Sequence, residues 1–182
     1  MFKSSDEKTM RLVGDALNKL EVINNKLSHR INYMSGRSKQ LFDYCVKAQM
    51  EGDVERASVY ASELSQLRKS INTMVRSQLV IESVINRLYT VKDFKEAKDV
   101  IMPVMGLVKK LEKNVYASLP EIGTNVRYVQ EVLDDVVHEI GIMSDAPSLI
   151  TSTDSEDAAK ILKEASEVAL RRKKDLLPEA SP

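Results

Sequence analysis

The sequence predicts an all-α protein: a long antiparallel helical hairpin, then shorter helices, a flexible linker and a C-terminal helix. Three observations carry that expectation. The 182 residues include no Trp, 6 Gly and 5 Pro, with 30 % charged and 5 % aromatic residues; few breakers and many charges suit long helices. An apolar spacing alternating by three and four runs nearly unbroken through residues 13–48 and resumes through 57–88. Between the two runs stands a single Gly-Asp pair, Gly52 and Asp53.

The first run seats Val13, Leu17, Leu20, Asn24, Leu27, Ile31, Met34, Ser38, Leu41, Cys45 and Ala48, nine of eleven apolar. The second seats Ala57, Tyr60, Leu64, Leu67, Ile71, Met74, Gln78, Ile81, Ile85 and Leu88, nine of ten apolar. One narrow buried seam on each helix accounts for such spacing. Gly52 suits the left-handed position past a helix end, and Asp53 can cap the helix that follows. Folding there sets residue i opposite 105 − i, so Leu41 meets Leu64, Met34 meets Ile71 and Leu20 meets Ile85. The hairpin, residues 9–90 after a tail of residues 1–8, would be about 60 Å long. Asn24 and Gln78 fall within about one turn of each other, where an amide pair would fix register.

Shorter helices follow within a core ending at residue 141. Asp93 with Glu96, Ser118 with Glu121 and Thr153 with Glu156 each have capping-box spacing, and Pro120 suits a first turn. The third helix, Phe94 to Tyr116, carries Pro103 and Gly106, a site for a kink. The fourth has an apolar stripe of Ile122, Val126, Val129, Leu133, Val136 and Ile140. Residues 142–152 read as a linker, 153–174 as an amphipathic, regulatory acidic helix and 175–182 as a tail that Pro178 keeps from continuing it.

Charge is balanced overall but not along the chain. Residues 1–95 carry a net +5 and residues 96–182 a net −5, while residues 120–167 alone reach −8. Such asymmetry fits an anionic surface as partner, self-association, or one half covering the other. Cys45 is the single cysteine, which excludes an internal disulfide and fits a reducing compartment. With no apolar run near the roughly 18 residues of a membrane span and no apolar leader, a soluble intracellular protein is expected.

Catalytic constellations do not emerge. His29 and His138 have no metal-ligand spacing around them, no Gly-rich phosphate loop occurs, and Asp134 and Asp135 diverge by about 100° on a helix. No enzyme, metal or cofactor is therefore expected. The basic residues of the first helix are more informative: Lys8, Lys19, Lys26, Arg30 and Arg37 project within about 40° of one another. They fit anionic lipid headgroups, with Phe2 as an apolar contact, or simply a solvated face. Nucleic acid is not expected, because no aromatic stacking platforms interleave with the charges. In the tail, Arg171 to Lys174 lead into Leu176, Leu177 and Pro178, either a docking peptide or a frayed terminus.

The run ERASVYASELSQLRKSINTMV after the Gly-Asp tip resembles the second helix of ESCRT-III proteins. LVIESVINRL resembles the later part of that helix, and SLPEIGTNVRYVQEVLDDVV resembles the fourth-helix region of archaeal cell-division members. The resemblance covers residues 9–141 and is to a paralogue without the winged-helix domain of larger relatives. It implies a subunit that polymerises with itself and with paralogues into filaments or rings on anionic membranes. It implies constriction at the division site from the cytoplasmic face of the cell membrane. It further implies a disassembly ATPase of the AAA type that docks on the tail at Leu176, Leu177 and Pro178. A neighbouring subunit would contact the hairpin tip at Glu51, Asp53 and Val54. Pro103 and the Thr90–Asp93 junction would be hinges, and the acidic segment would mask the basic half. A soluble coiled-coil adaptor that never polymerises, and a helical-bundle regulator, are the alternatives.

Overall fold

The computed structural model describes residues 2–141 and 153–175, and every element in it is an α-helix. Helix α1 spans Phe2–Met50, α2 Val54–Tyr89, α3 Phe94–Ser118, α4 Pro120–Glu139 and α5 Thr153–Asp175. Helix α1 begins at Phe2, so the residues expected to form a tail belong to the first helix. The expected linker, residues 142–152, lies outside the described residues, as do Leu176, Leu177 and Pro178.

The turn between α1 and α2 forms as the Gly-Asp pair dictates. Gly52 takes φ 73°, and the Asp53 carboxylate accepts a 3.0 Å hydrogen bond from the Arg56 amide. Two cross-hairpin contacts report the register. Gln78 Nε2 donates to Ser28 Oγ at 2.5 Å, and the rings of Tyr44 and Tyr60 lie 5.7 Å apart. Each pair is within one residue of the expected pairing. The amide pair expected between Asn24 and Gln78 does not form. Gln78 turns to the smaller Ser28, and the Asn24 side-chain oxygen is buried without a partner among the described residues.

Helices α3 and α4 fold back on the open end of the hairpin and close a four-helix bundle. Neighbours around it are α1 with α2, α2 with α3, α3 with α4 and α4 with α1, while α1 and α3 sit diagonally and barely touch. Asp93 caps α3 by accepting from the Glu96 amide, but the Glu96 carboxylate returns to Lys92 N at 2.9 Å, one residue before the cap. The cap position of α4 falls on Leu119 rather than on Ser118, the last residue of α3, and α4 begins at Pro120 with no side-chain cap at Leu119. Proline at the first helical position lacks one of the amides that a helix start leaves unpaired. Helix α3 continues as one helix through Pro103.

The core departs from one seam in a revealing way. On α1 the apolar residues buried in this core are Val13, Ala16, Leu20, Ile23 and Leu27, whereas Leu17 and Asn24 are half-buried. Covering by α4 turns the buried centre toward Ala16 and Ile23, so one helix face serves two neighbours. Between Met34 and Ile71 the hairpin lies outside this core, and only Leu41, Ala48, Ala57 and Leu64 are buried there. Helix α5 is a separate unit: a single amphipathic helix with Ile161, Leu162, Val168 and Leu170 exposed and Arg172, Lys173 and Lys174 in its last turn.

Candidate functional site

The basic stripe of α1 lies along its seam with α4. Lys8 Nζ meets Glu139 Oε2 at 2.6 Å, the Lys19 ammonium sits 5.3 Å from the centre of the Tyr128 ring, and Lys26 Nζ is 3.7 Å from Glu121 Oε1. All three contacts obey one antiparallel register, residue i of α1 facing 147 − i of α4. The spacing of the cations is mirrored in reverse by Glu121, Tyr128 and Glu139. That mirrored spacing was present in the sequence, yet nothing in either helix alone marks it as a pairing.

Arg30 and Arg37 lie beyond the reach of α4, which begins at Pro120 and in this register faces Leu27. Both are exposed; Arg37 meets only the Gln40 amide oxygen, at 3.5 Å, and Arg30 has no ion-pair partner among the described residues. The stripe thus divides into three cations held by α4 and two that face solvent. Phe2 starts α1, but its side chain lies outside the described residues.

Magnitudes show what holds α4 down. An exposed ion pair contributes about 0–1 kcal/mol and a cation–π contact about 0.5–1 kcal/mol. Val126, Val129, Leu133 and Val136 are fully buried, and each such side chain contributes roughly 1.5–3 kcal/mol as an upper estimate. Apolar burial seats the helix. The charged contacts set its register and make the seam sensitive to salt and to competing anions.

At the hairpin tip, Arg56 is drawn to two of the expected contact residues, 3.4 Å from Asp53 and 3.9 Å from Glu51. Asp53 is also committed to its cap, whereas Val54 is 69 % exposed and open to a partner. Cys45 is half-buried, and its Sγ lies 3.5 Å from the Ala57 carbonyl oxygen. Among the described residues no cluster of His, Cys, Asp and Glu has metal-holding geometry, and no helix is long and apolar enough to cross a membrane.

The chain is 35 % identical to "Cell division protein B1" of Sulfolobus acidocaldarius over 176 residues, 97 % of this chain and 81 % of that protein. The chain belongs to the cell division protein B family. It is also 32 % identical to "Cell division protein B" of the same organism over 161 residues, 88 % of this chain and 61 % of that protein. This is the archaeal cell-division branch of ESCRT-III that the residues of α2 and α4 resemble. No family model and no solved structure matches the chain.

Proposed function

We propose that this protein is a non-catalytic subunit of a membrane-remodelling polymer acting in cell division, with α4 as a removable cover over a lipid-binding face. The observation that carries the reading is the divided stripe: five cations on one helix face, Lys8, Lys19 and Lys26 held by α4 and Arg30 and Arg37 open. Arg30 and Arg37 meet anionic headgroups first, at roughly 1 kcal/mol for each basic residue near the surface. Headgroups then compete with Glu121 and Glu139 for Lys26 and Lys8. Release of α4 from α1 raises the cations in contact from two to five and exposes the apolar faces on which subunits add to one another. The division site at the cytoplasmic face of the membrane is the setting, and self, paralogous subunits and an ATPase at the C-terminal tail are the partners. The names of the relatives support the cell-division role.

Sedimentation with phosphatidylglycerol and with phosphatidylcholine vesicles, followed by negative-stain microscopy, tests the proposal. Binding to the anionic vesicles alone, with filaments or coated tubes, is expected. Replacing Lys19, Lys26, Arg30 and Arg37 with Glu abolishes sedimentation and leaves the helical circular dichroism intact. A monodisperse protein indifferent to both vesicles would overturn the polymer reading in favour of a soluble adaptor.

A further inference from the structure

On the opposite edge of the bundle from the α1–α4 seam, α2 and α3 part to leave a cleft of about 510 Å³, open to solvent. Its rim carries Arg76 from α2 and Lys110 and Lys113 from α3; Leu107 and Leu111 form part of its floor, and Thr73 lies at one end. No carboxylate lines it. Elsewhere on the bundle some exposed cations have acidic partners, Lys8 with Glu139, Lys26 with Glu121 and Arg127 with Glu112, while others such as Arg11, Lys92 and Lys98 have none among the described residues. What sets the cleft apart is that three cations surround one concavity. None of the three rim cations has an ion-pair partner among the described residues, and Glu112, the acid nearest to them along α3, is taken by Arg127 on α4.

Three like charges gathered around one concavity repel one another, and a bound anion relieves that repulsion. Arg76 offers the planar fork that grips phosphate oxygens in pairs, and two lysines on the facing helix supply point charges. The volume falls within the roughly 300–1,000 Å³ of ordinary small-molecule sites. We propose that the α2–α3 cleft binds a multiply charged phosphate anion, either a phosphorylated lipid headgroup or a free polyphosphate. Because the cations come from both helices, the anion ties α3 to α2 and strengthens the folded-back arrangement. This site is independent of the α1 stripe.

Calorimetric titration of the full chain with inorganic tripolyphosphate at about 0.15 M salt, where the Debye length is about 8 Å, tests the proposal. Replacing Arg76, Lys110 and Lys113 together with Gln weakens binding by about tenfold or more, since charge-assisted phosphate contacts are the strong ones. Replacing Arg11, Lys92 and Lys98 with Gln removes the same charge away from the cleft, Lys98 lying about 18 Å from Lys110 along α3, and leaves affinity within about twofold, because exposed, distant charges are largely screened. Absence of binding to the unaltered chain, or equal loss in the two triple variants, overturns the site. Vesicles containing bis-phosphorylated phosphatidylinositol, set against phosphatidylglycerol vesicles, then assign the source. A preference for the former that the cleft variant loses identifies a headgroup. Without such a preference, or with one the variant retains, tripolyphosphate binding identifies a free anion. Glu substitutions at Arg30 and Arg37 leave tripolyphosphate binding unchanged, so failure of the membrane reading and failure of this site are separable.

Discussion

Along residues 8–27 α1 is one edge of a four-helix bundle; between Met34 and the tip at Gly52 it has only α2 for company. Both stretches carry the same apolar spacing, but they use it differently. In the bundle, α1 buries Ala16 and Ile23 beside the seam, and α2 adds Val84 beside Ile85. In the rod, Leu41, Ala48, Ala57 and Leu64 are the buried contacts, while Phe42, Tyr44, Val46, Met50 and Val59 stand exposed. Two helices in a single seam cannot remove much surface from water, so the rod depends on capping, the tip glycine and pair contacts. Arg68 lies 5.9 Å from the Phe42 ring, a contact of that type. The bundle carries the stability; the rod carries surface.

Truncating each region should expose the difference. Leu133→Ala in the bundle core is expected to cost about 2–5 kcal/mol in denaturant unfolding, because a fully buried leucine leaves a cavity among four helices. Leu64→Ala in the rod, where solvent is one side chain away, should cost about 1–2 kcal/mol by the transfer contribution alone. Equal losses would mean the rod is packed by something other than its own seam. Asn24→Leu sharpens the bundle side: removing a buried oxygen without a partner should raise stability by about 1 kcal/mol and lift the melting midpoint. At the tip, Gly52→Ala forces a side chain into φ 73° and Asp53→Ala removes a cap, each expected to cost about 1 kcal/mol. A melt followed by circular dichroism should show those losses in the rod.

The smallest effect is expected at the open end, where the Tyr89 hydroxyl donates to the Glu21 carboxylate. That hydrogen bond, and then the carboxylate's charge, hold the phenol above its ordinary 10.0. A proton kept more tightly in the folded state means the contact contributes below pH about 10 and is lost as pH rises through the folded value. Tyr89→Phe should therefore lower the melting midpoint slightly at pH 8, with the difference from the parent vanishing in stronger alkali. A difference that persists there would assign the effect to packing.

Periodicity made the hairpin legible, because a buried seam imposes its spacing on each helix separately. The tip was legible because Gly52 and Asp53 have few other uses between two apolar runs. The packing of α4 on α1 was legible only as charge imbalance. Which acid faces which lysine depends on how two helices far apart in sequence are set side by side, and no local pattern encodes that. Tyr128 went unnoticed for the same reason: on α4 alone it is an exposed aromatic. Asn24 misled because its seat looked like a match for Gln78, whereas Ser28 lay within reach of the longer amide.

The shared register of the α1–α4 contacts has a mechanical consequence. Slide α4 by one turn, about 5.4 Å, and Lys19 comes opposite Thr124 or Val132, neither of which offers it an aromatic face. The slide that sets Lys19 against Thr124 does bring Lys8 opposite Asp135, so one contact of the three is regained there. All three are satisfied together only in the observed register, and a slipped α4 is held by less charge.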